Sequence, residues 1–192
     1  MRVRIAEDIV DRIVHWFERH GAAPCGCGRT EPVSALDHAL QCAWLAEDAR
    51  AGAPLVVAAL LHDVGHFVAI DDLADHDDLD DAHELRAVAV LVRDFPAAVI
   101  EPIRLHVAAK RYLTATEPRY LATLSRGSLQ SLAQQGGPMS GAETALFEAM
   151  PFAQDAVRLR RWDDLARLPG RPTPDLAHYL ALADDVRRPA RA

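Results

Sequence analysis

The chain has 192 residues, of which half are hydrophobic and about a quarter are charged, with a net charge of -7 and a pI of about 5.7. This length and composition predict a single globular domain over residues 1–192. An acidic balance disfavours nucleic-acid binding, and no apolar run approaches the roughly 20 residues of a membrane span. The charged, amphipathic N-terminal segment does not resemble a signal peptide. We therefore expect a cytoplasmic protein that binds neither membranes nor nucleic acid, with reduced cysteines.

Apolar residues recur at helical spacing and β-branched alternation is scarce, which predicts an all-α fold of about eight to ten helices. The first helix carries Ile9 and Phe17 on one face and ends near Gly21. A Gly/Pro-rich loop over 22–33 follows, and Ser34 is placed to cap the helix ALDHALQCAWLAEDARA.

Pro54 opens the next predicted helix, LVVAALLHDVGH. The acidic run DDLADHDDLDD over 71–81 is interpreted as a solvated loop, because it lacks the glycine and terminal glutamate of a calcium-binding EF-hand. A helix is predicted from about 83 to 93, and Pro96 and Pro102 are expected to interrupt the chain before IRLHVAAKRYL. The remaining predicted helices are GAETALFEAM, PFAQDAVRLRRWDDLARL and DLAHYLALADDVRR.

Polar side chains end an apolar run in the segment AALLHDVGH, which places His62, Asp63 and His66 within five positions. Burying such groups without partners is costly, so a bound metal is one explanation. Imidazoles and carboxylates together suit iron, manganese or zinc, and a shared carboxylate can bridge two metals. Asp63 is the best candidate for such a bridge. The other candidate ligands along the chain are His38, His83, His106 and one of the adjacent Asp163 and Asp164.

The remaining histidines and the cysteines are interpreted as lying outside this site. Cys25 and Cys27 are one residue apart without a second pair, which does not match the spacing of a zinc site, so their loop is expected to be flexible and close to the active site. The histidines expected at the surface are His15, His20, His76 and His178.

The order His38, His62-Asp63 and a later aspartate resembles the HD-domain superfamily, most of whose members are metal-dependent phosphohydrolases. The blocks LDHALQCAWLA, AALLHDVGH, DAHE, IRLHVAAKRYL, SLQSLAQQGGPMS and DAVRLRRWDDLA are similar to a narrower branch, the mixed-valent diiron oxygenases. Within that branch they most resemble the bacterial oxygenases that cleave organophosphonate C–P bonds, which are related to myo-inositol oxygenase. The resemblance extends over about residues 3–180.

This resemblance implies an Fe(II)/Fe(III) oxygenase that uses dioxygen to convert a 1-hydroxy-2-(substituted amino)ethylphosphonate into phosphate and a carboxylic acid. The implied ligands of one iron are His38, His62, Asp63 and Asp163. Those of the second iron are Asp63, His83 and His106, so that Asp63 bridges the two. Asp164 is the alternative to Asp163.

The resemblance also implies a phosphonate-binding set. His66 and Lys110 would face the substrate and, with Asp63, act in catalysis. Lys110 lies one helical turn after His106, so both side chains can point into one pocket. One of Arg158, Arg160 and Arg161 would bind the dianion, with Arg160 the preferred candidate. Neutral donors would come from Ser128, Ser131 and Gln135.

Glu31 occupies the place of a glutamate that binds the amino end of the substrate in related oxygenases, but the loop CGCGRTEP lacks the tyrosine that accompanies it. Without that aromatic ring a cation–π partner is missing. The distal group of the substrate therefore stays open.

Three other functions are compatible with the same residues. A phosphohydrolase acting on a nucleotide or phosphate monoester would use the same ligands, but Lys110 and the RRWDD block favour the oxygenase. A metal-binding scaffold without turnover is disfavoured by the complete ligand set. The third alternative is the oxygenation of a polyol, as in myo-inositol oxygenase, which is distinguished from C–P bond cleavage because it releases no phosphate.

Overall fold

A computed structural model of the chain describes residues 8–24, 33–72 and 82–188. These ranges contain ten α-helices, one 3₁₀-helix and no strand, which confirms the all-α prediction. The α-helices are α1 Ile9–His20, α2 Ala35–Asp48, α3 Ala53–Leu61, α4 Val64–Asp72, α5 His83–Leu91, α6 Ala97–Thr116, α7 Arg126–Gln134, α8 Gly141–Glu148, α9 Ala153–Leu165 and α10 Leu176–Val186. The 3₁₀-helix, Tyr120–Thr123, lies between α6 and α7.

Helix α2 begins where the sequence predicts it. The Ser34 hydroxyl accepts a hydrogen bond from the Asp37 backbone N–H at 3.1 Å, so it satisfies one of the unpaired donors of the first turn. Asp37 also places a negative charge at the positive end of the helix dipole. This cap fixes the first turn of α2, in which His38 lies.

The helix predicted over LVVAALLHDVGH is interrupted in the structure. Helix α3 ends at Leu61, and α4 begins at Val64 after a turn at His62 and Asp63. His66 therefore does not follow His62 along one continuous helix. The loop predicted over 71–81 is wrong for its first two residues, since α4 continues to Asp72, and the rest of that segment lies outside the described residues.

The predicted interruption at Pro102 is wrong. Helix α6 continues from Ala97 to Thr116 with Pro102 in its second turn. A proline there removes one backbone donor, which a 20-residue helix tolerates when its neighbours hold it in place. Both Val99 and Ile103, on either side of Pro102, are fully buried.

Helix α3 is the centre of the main hydrophobic core. From Leu55 to Leu61 every residue is buried, because α3 contacts α2, α6, α9 and α10. A second core cluster lies where α6 packs along α9, and it includes Leu113, Tyr120 and Phe147. Within the described ranges, no helix combines the length and the apolar character needed to cross a bilayer.

Candidate metal centre

The six predicted metal ligands converge at the point where α2, α3, α5, α6 and α9 meet. His62 and Asp63 form the turn between α3 and α4, and His83 is the first residue of α5. His38 lies at the start of α2, His106 lies in the middle of α6 and Asp163 lies in the last turn of α9. All four histidines and Asp163 are buried, whereas the Asp63 side chain keeps a quarter of its surface exposed.

His38, His62 and Asp163 form one half of the centre. The His38 Nε2 atom lies 3.4 Å from Asp163 Oδ1 and 3.8 Å from Asp63 Oδ2. His62 Nε2 lies 3.5 Å from Asp63 Oδ1 and 3.9 Å from Asp163 Oδ2. This half therefore offers two imidazole nitrogens and two carboxylates around one space.

His83 and His106 form the other half. Their Nε2 atoms lie 3.0 Å apart, and each faces Asp63 Oδ1, at 3.4 Å from His83 and 3.9 Å from His106. Donor atoms of Asp63, His83 and His106 lie close enough together to hold one ion. Asp63 thus contacts both halves, as a bridging carboxylate would.

Hydrogen bonds to backbone carbonyls fix the orientation of three of these imidazoles. The Nδ1 atoms of His38, His62 and His106 donate to the carbonyl oxygens of Ala166, Ala59 and Ile103 at 2.9, 2.9 and 2.7 Å. A carbonyl can only accept, so the proton of each neutral ring is on Nδ1 and the Nε2 lone pair faces the carboxylates. His62 Nε2 is buried and has no hydrogen-bond partner among the described residues. Lone pairs facing carboxylate oxygens fit bound cations.

The electrostatics of the cluster agree with this arrangement. Burial and the neighbouring imidazoles of His83 and His62 hold the pKa of His106 well below its ordinary range, so the ring is neutral near pH 7. Burial alone would raise the pKa of Asp163, but the Arg160 guanidinium beside it holds that pKa well below its usual range. His106 therefore supplies a neutral imidazole and Asp163 an ionised carboxylate, the forms that bind metals.

A layer of buried cations lies next to the carboxylates. The Arg160 guanidinium is 2.8 Å from Asp163 Oδ2 and also pairs with Asp164. Asp164 accepts a hydrogen bond from the Tyr120 hydroxyl, so it belongs to the support of Arg160 rather than to the ligand cluster. Arg160 further donates to Ser128 Oγ at 3.4 Å.

Lys110 is the second buried cation. It is 3% exposed, lies one turn after His106 on α6 and donates from Nζ to Ser131 Oγ at 2.7 Å. A buried ammonium group beside a hydroxyl can bind an anionic ligand through charge-assisted hydrogen bonds. Ser131 is half-buried, and Ser128 is buried.

Among the other predicted site residues, His66 lies beside the cluster, whereas Gln135, Arg158 and Arg161 do not contact it. The His66 ring stacks on His83 at 4.1 Å, and its Nε2 is 4.0 Å from Asp63 Oδ1. Gln135 ends α7 and lines a separate cavity of about 440 Å³ with Glu84 and Arg111. Arg158 and Arg161 are largely exposed and pair with Asp155 and Glu117. The predicted residues Glu31, Cys25, Cys27 and His76 lie outside the described residues.

The prediction for the surface histidines holds in part. His15 and His178 are exposed. His20 is half-buried, because its ring stacks on Phe67 at 5.7 Å. His20 is therefore less exposed than His15 and His178.

A cavity of about 240 Å³ opens onto the cluster. His38, Asp63 and His66 are among its lining residues, and the others are mostly apolar. Those are Phe17, Ala23, Pro24, Ala35, Ala39, Leu60, Val64 and Phe67, with His20 beside them. A small molecule in this cavity would contact both the ligand cluster and apolar side chains.

Two supporting residues were missed in the sequence. Arg167, one turn after Asp163, lies 3.5 Å from both Asp163 Oδ1 and Ser128 Oγ. Gln41 donates to the Leu168 carbonyl and accepts from the Leu168 N–H, and so holds the segment whose Ala166 carbonyl orients His38. The helical spacing from Asp163 predicts Arg167, whereas no local signal identifies Gln41.

Comparison with known proteins assigns the chain to a family. It is 46% identical over 155 residues to hydroxymethylphosphonate dioxygenase of Gimesia maris, covering 78% of this chain and 75% of that protein. The chain belongs to this family of phosphonate dioxygenases.

Two further relatives extend the comparison. [1-Hydroxy-2-(trimethylamino)ethyl]phosphonate dioxygenase (glycine-betaine-forming) of Leisingera caerulea is 41% identical over 150 residues, covering 78% of this chain and 76% of that protein. An uncharacterized protein of Acanthamoeba polyphaga mimivirus is 33% identical over 174 residues, covering 88% and 78%. No protein-family model matches the chain.

Proposed function

We propose that this phosphonate dioxygenase family member binds two iron ions and oxidatively cleaves the C–P bond of a 1-hydroxyalkylphosphonate. The observation that carries the proposal is the buried cluster in which three imidazole Nε2 atoms, oriented by backbone carbonyls, face Asp63 and Asp163. Mixed nitrogen and oxygen donors of this kind suit iron. One ion would be held by His38, His62, Asp63 and Asp163, and the other by Asp63, His83 and His106.

The overall reaction balances with one dioxygen. R–CH(OH)–PO₃H₂ and O₂ give R–COOH and H₃PO₄, so the C–P bond and one C–H bond break while oxygen is added to both carbon and phosphorus. The metals would supply the reactivity towards dioxygen. The protein supplies the binding and orientation of the substrate.

Buried cations and hydroxyls supply the recognition of the phosphonate. Lys110 pairs with Ser131 and Arg160 pairs with Ser128, so each buried cation lies beside a hydroxyl group. Charge-assisted hydrogen bonds to a dianion are stronger than neutral ones. His66, stacked on His83 beside Asp63, would position the substrate at the exposed edge of the cluster.

The apolar cavity beside Asp63 would receive the rest of the substrate. Among its described lining residues, Asp63 has the only carboxylate, and that group is assigned to the metals. One face of the Phe67 ring is stacked against His20, which reduces the aromatic surface open to an ammonium group. The rings of Phe17 and Phe67 both line this cavity, so it suits either hydroxymethylphosphonate or a 1-hydroxy-2-(substituted amino)ethylphosphonate.

The test is turnover by iron-loaded protein in the presence of oxygen. We expect phosphate release equal to the oxygen consumed, with ¹⁸O from labelled O₂ in both products, and no turnover by metal-free protein. The substrates to compare are hydroxymethylphosphonate, 2-amino-1-hydroxyethylphosphonate and 1-hydroxy-2-(trimethylamino)ethylphosphonate. Oxygen-independent release of phosphate from a phosphate monoester, with none from these phosphonates, would instead support the phosphohydrolase.

A further inference from the structure

Cys42 lies beside the predicted ligands of the first iron without having been assigned to them. It follows His38 by one turn on α2 and is 1% exposed. Its Sγ atom is 3.6 Å from His38 Nε2. Donor atoms of His38, Cys42 and His62 all lie within 4.8 Å of one another.

The His62 imidazole gives an independent indication that a ligand is bound in this space. His62 is completely buried, and its Nδ1 proton is donated to the Ala59 carbonyl. Its Nε2 atom therefore presents a lone pair, which has no hydrogen-bond partner among the described residues. An acceptor in such a position is satisfied by a metal ion, and the same ion would be in reach of the Cys42 sulfur.

The measured separation fits ligation of one ion by both residues. Metal–nitrogen distances of about 2.1 Å and metal–sulfur distances of about 2.3 Å, combined with a 3.6 Å Nε2–Sγ separation, give an N–metal–S angle of about 110°. This angle lies within the range of roughly 90° to 120° between adjacent ligands of a five-coordinate ion. Rotation of the Cys42 side chain is not needed to bring the sulfur within reach.

We propose that Cys42 donates its sulfur to the metal held by His38, His62, Asp63 and Asp163, so that this half of the centre has nitrogen, oxygen and sulfur ligands. The proposal rests on the proposed metal centre. On binding, a metal–sulfur bond forms and the thiol proton passes to solvent, with no change in oxidation state. A sulfur ligand makes the site softer than its partner, which holds only His83, His106 and Asp63, and so makes the two metal sites chemically distinct.

Burial by itself explains a cysteine at this place equally simply, since free cysteine often packs as a small apolar residue, and burial raises the pKa of the Cys42 thiol to about 11. The two explanations differ in what the sulfur does when a metal arrives. A packed thiol stays protonated, whereas a ligand becomes a thiolate with a charge-transfer absorption.

The experiment is a cobalt titration followed by absorption spectroscopy. A Cys25→Ser/Cys27→Ser double variant leaves Cys42 as the sole cysteine of the chain. Its metal-free form is titrated with Co(II) under argon, beside matched proteins that also carry Cys42→Ser or Cys42→Ala. We expect a near-ultraviolet thiolate-to-cobalt band in the parent that is lost in both Cys42 variants, with bound cobalt counted after gel filtration.

Each outcome decides between the two explanations. Binding of two cobalt ions by the parent without that band would overturn the sulfur ligand and leave the metal centre intact. The same band in the parent and in both Cys42 variants would overturn it too. Binding of no cobalt by the parent would overturn both the ligand and the proposed centre. Circular dichroism of each variant checks the fold, and Cys42→Ser keeps the side-chain volume if Cys42→Ala does not fold.

Discussion

Replacing Gly65 by alanine tests whether the close approach of α4 and α5 maintains the metal centre. A Cβ at Gly65 would lie 1.8 Å from the His83 carbonyl oxygen and 2.9 Å from the Ala87 nitrogen. Ordinary contacts are above 3.4 Å, so the backbone of α5 would have to move by about 1.5 Å. Because His83 is the first residue of α5, this movement would separate it from Asp63 and His106.

Overpacking of this kind costs about 3 kcal/mol, which lowers the Tm of a protein of this size by roughly 6 to 12 °C. We also expect Gly65→Ala to bind about one metal ion per chain instead of two, measured by inductively coupled plasma mass spectrometry. The variant should also lose its turnover of the phosphonate. Gly141→Ala is the matched control, because a Cβ there meets nothing within 4 Å among the described residues. A Gly65→Ala protein with two metals and an unchanged Tm would refute the reasoning.

Three further predictions concern the substrate site and the α7–α8 region. Lys110→Met should keep both metals and raise the KM for the phosphonate by about 10- to 100-fold, which corresponds to the loss of one charge-assisted hydrogen bond. An unchanged KM would show that Lys110 does not bind the phosphonate. Ala35→Leu, which reduces the volume of the apolar cavity, should lower kcat/KM about tenfold for substrates with a side chain and leave kcat/KM for hydroxymethylphosphonate unchanged. Equal losses of kcat/KM for all the substrates would contradict the proposal that this cavity receives the side chain. Backbone and side-chain bonds from Ser140 and Arg111 lower the pKa of Glu143 from 4.5 to about 2, so its stabilisation of α8 is complete above pH 4.5 and is lost as the pH falls through 2. In urea unfolding, Glu143→Gln should therefore have a lower free energy of unfolding than wild type at pH 6, and the difference should largely disappear as the pH falls through 2. A difference in unfolding free energy that does not change with pH would argue against this capping role.

Local signals in the sequence identify much of the site. The Ser34 cap and the helical spacing correctly place His38 and Cys42 on one helix, and the spacing of Lys110 after His106 places both on α6. The family blocks lead to the six ligand candidates, which the fold brings together. The sequence left the choice among three arginines open, and of these the fold buries Arg160 against Asp163.

The remaining features depend on long-range packing. Gly65, the glycine nearest to the break at His62 and Asp63, lies inside α4, and the break arises where α3 ends and α4 turns towards α5. Pro102 resembles a helix end in sequence, but burial of Val99 and Ile103 holds α6 together across it. The contact of Tyr120 with Asp164, across 44 positions, has no local signal either.

Electron paramagnetic resonance of iron-loaded protein, partly reduced with ascorbate, tests the central claim most directly. The account predicts the half-integer-spin signal of a coupled Fe(II)/Fe(III) pair, and a shift of that signal when hydroxymethylphosphonate or 2-amino-1-hydroxyethylphosphonate is added. Two bound metals without any coupled signal, at every level of reduction, would contradict a diiron oxygenase.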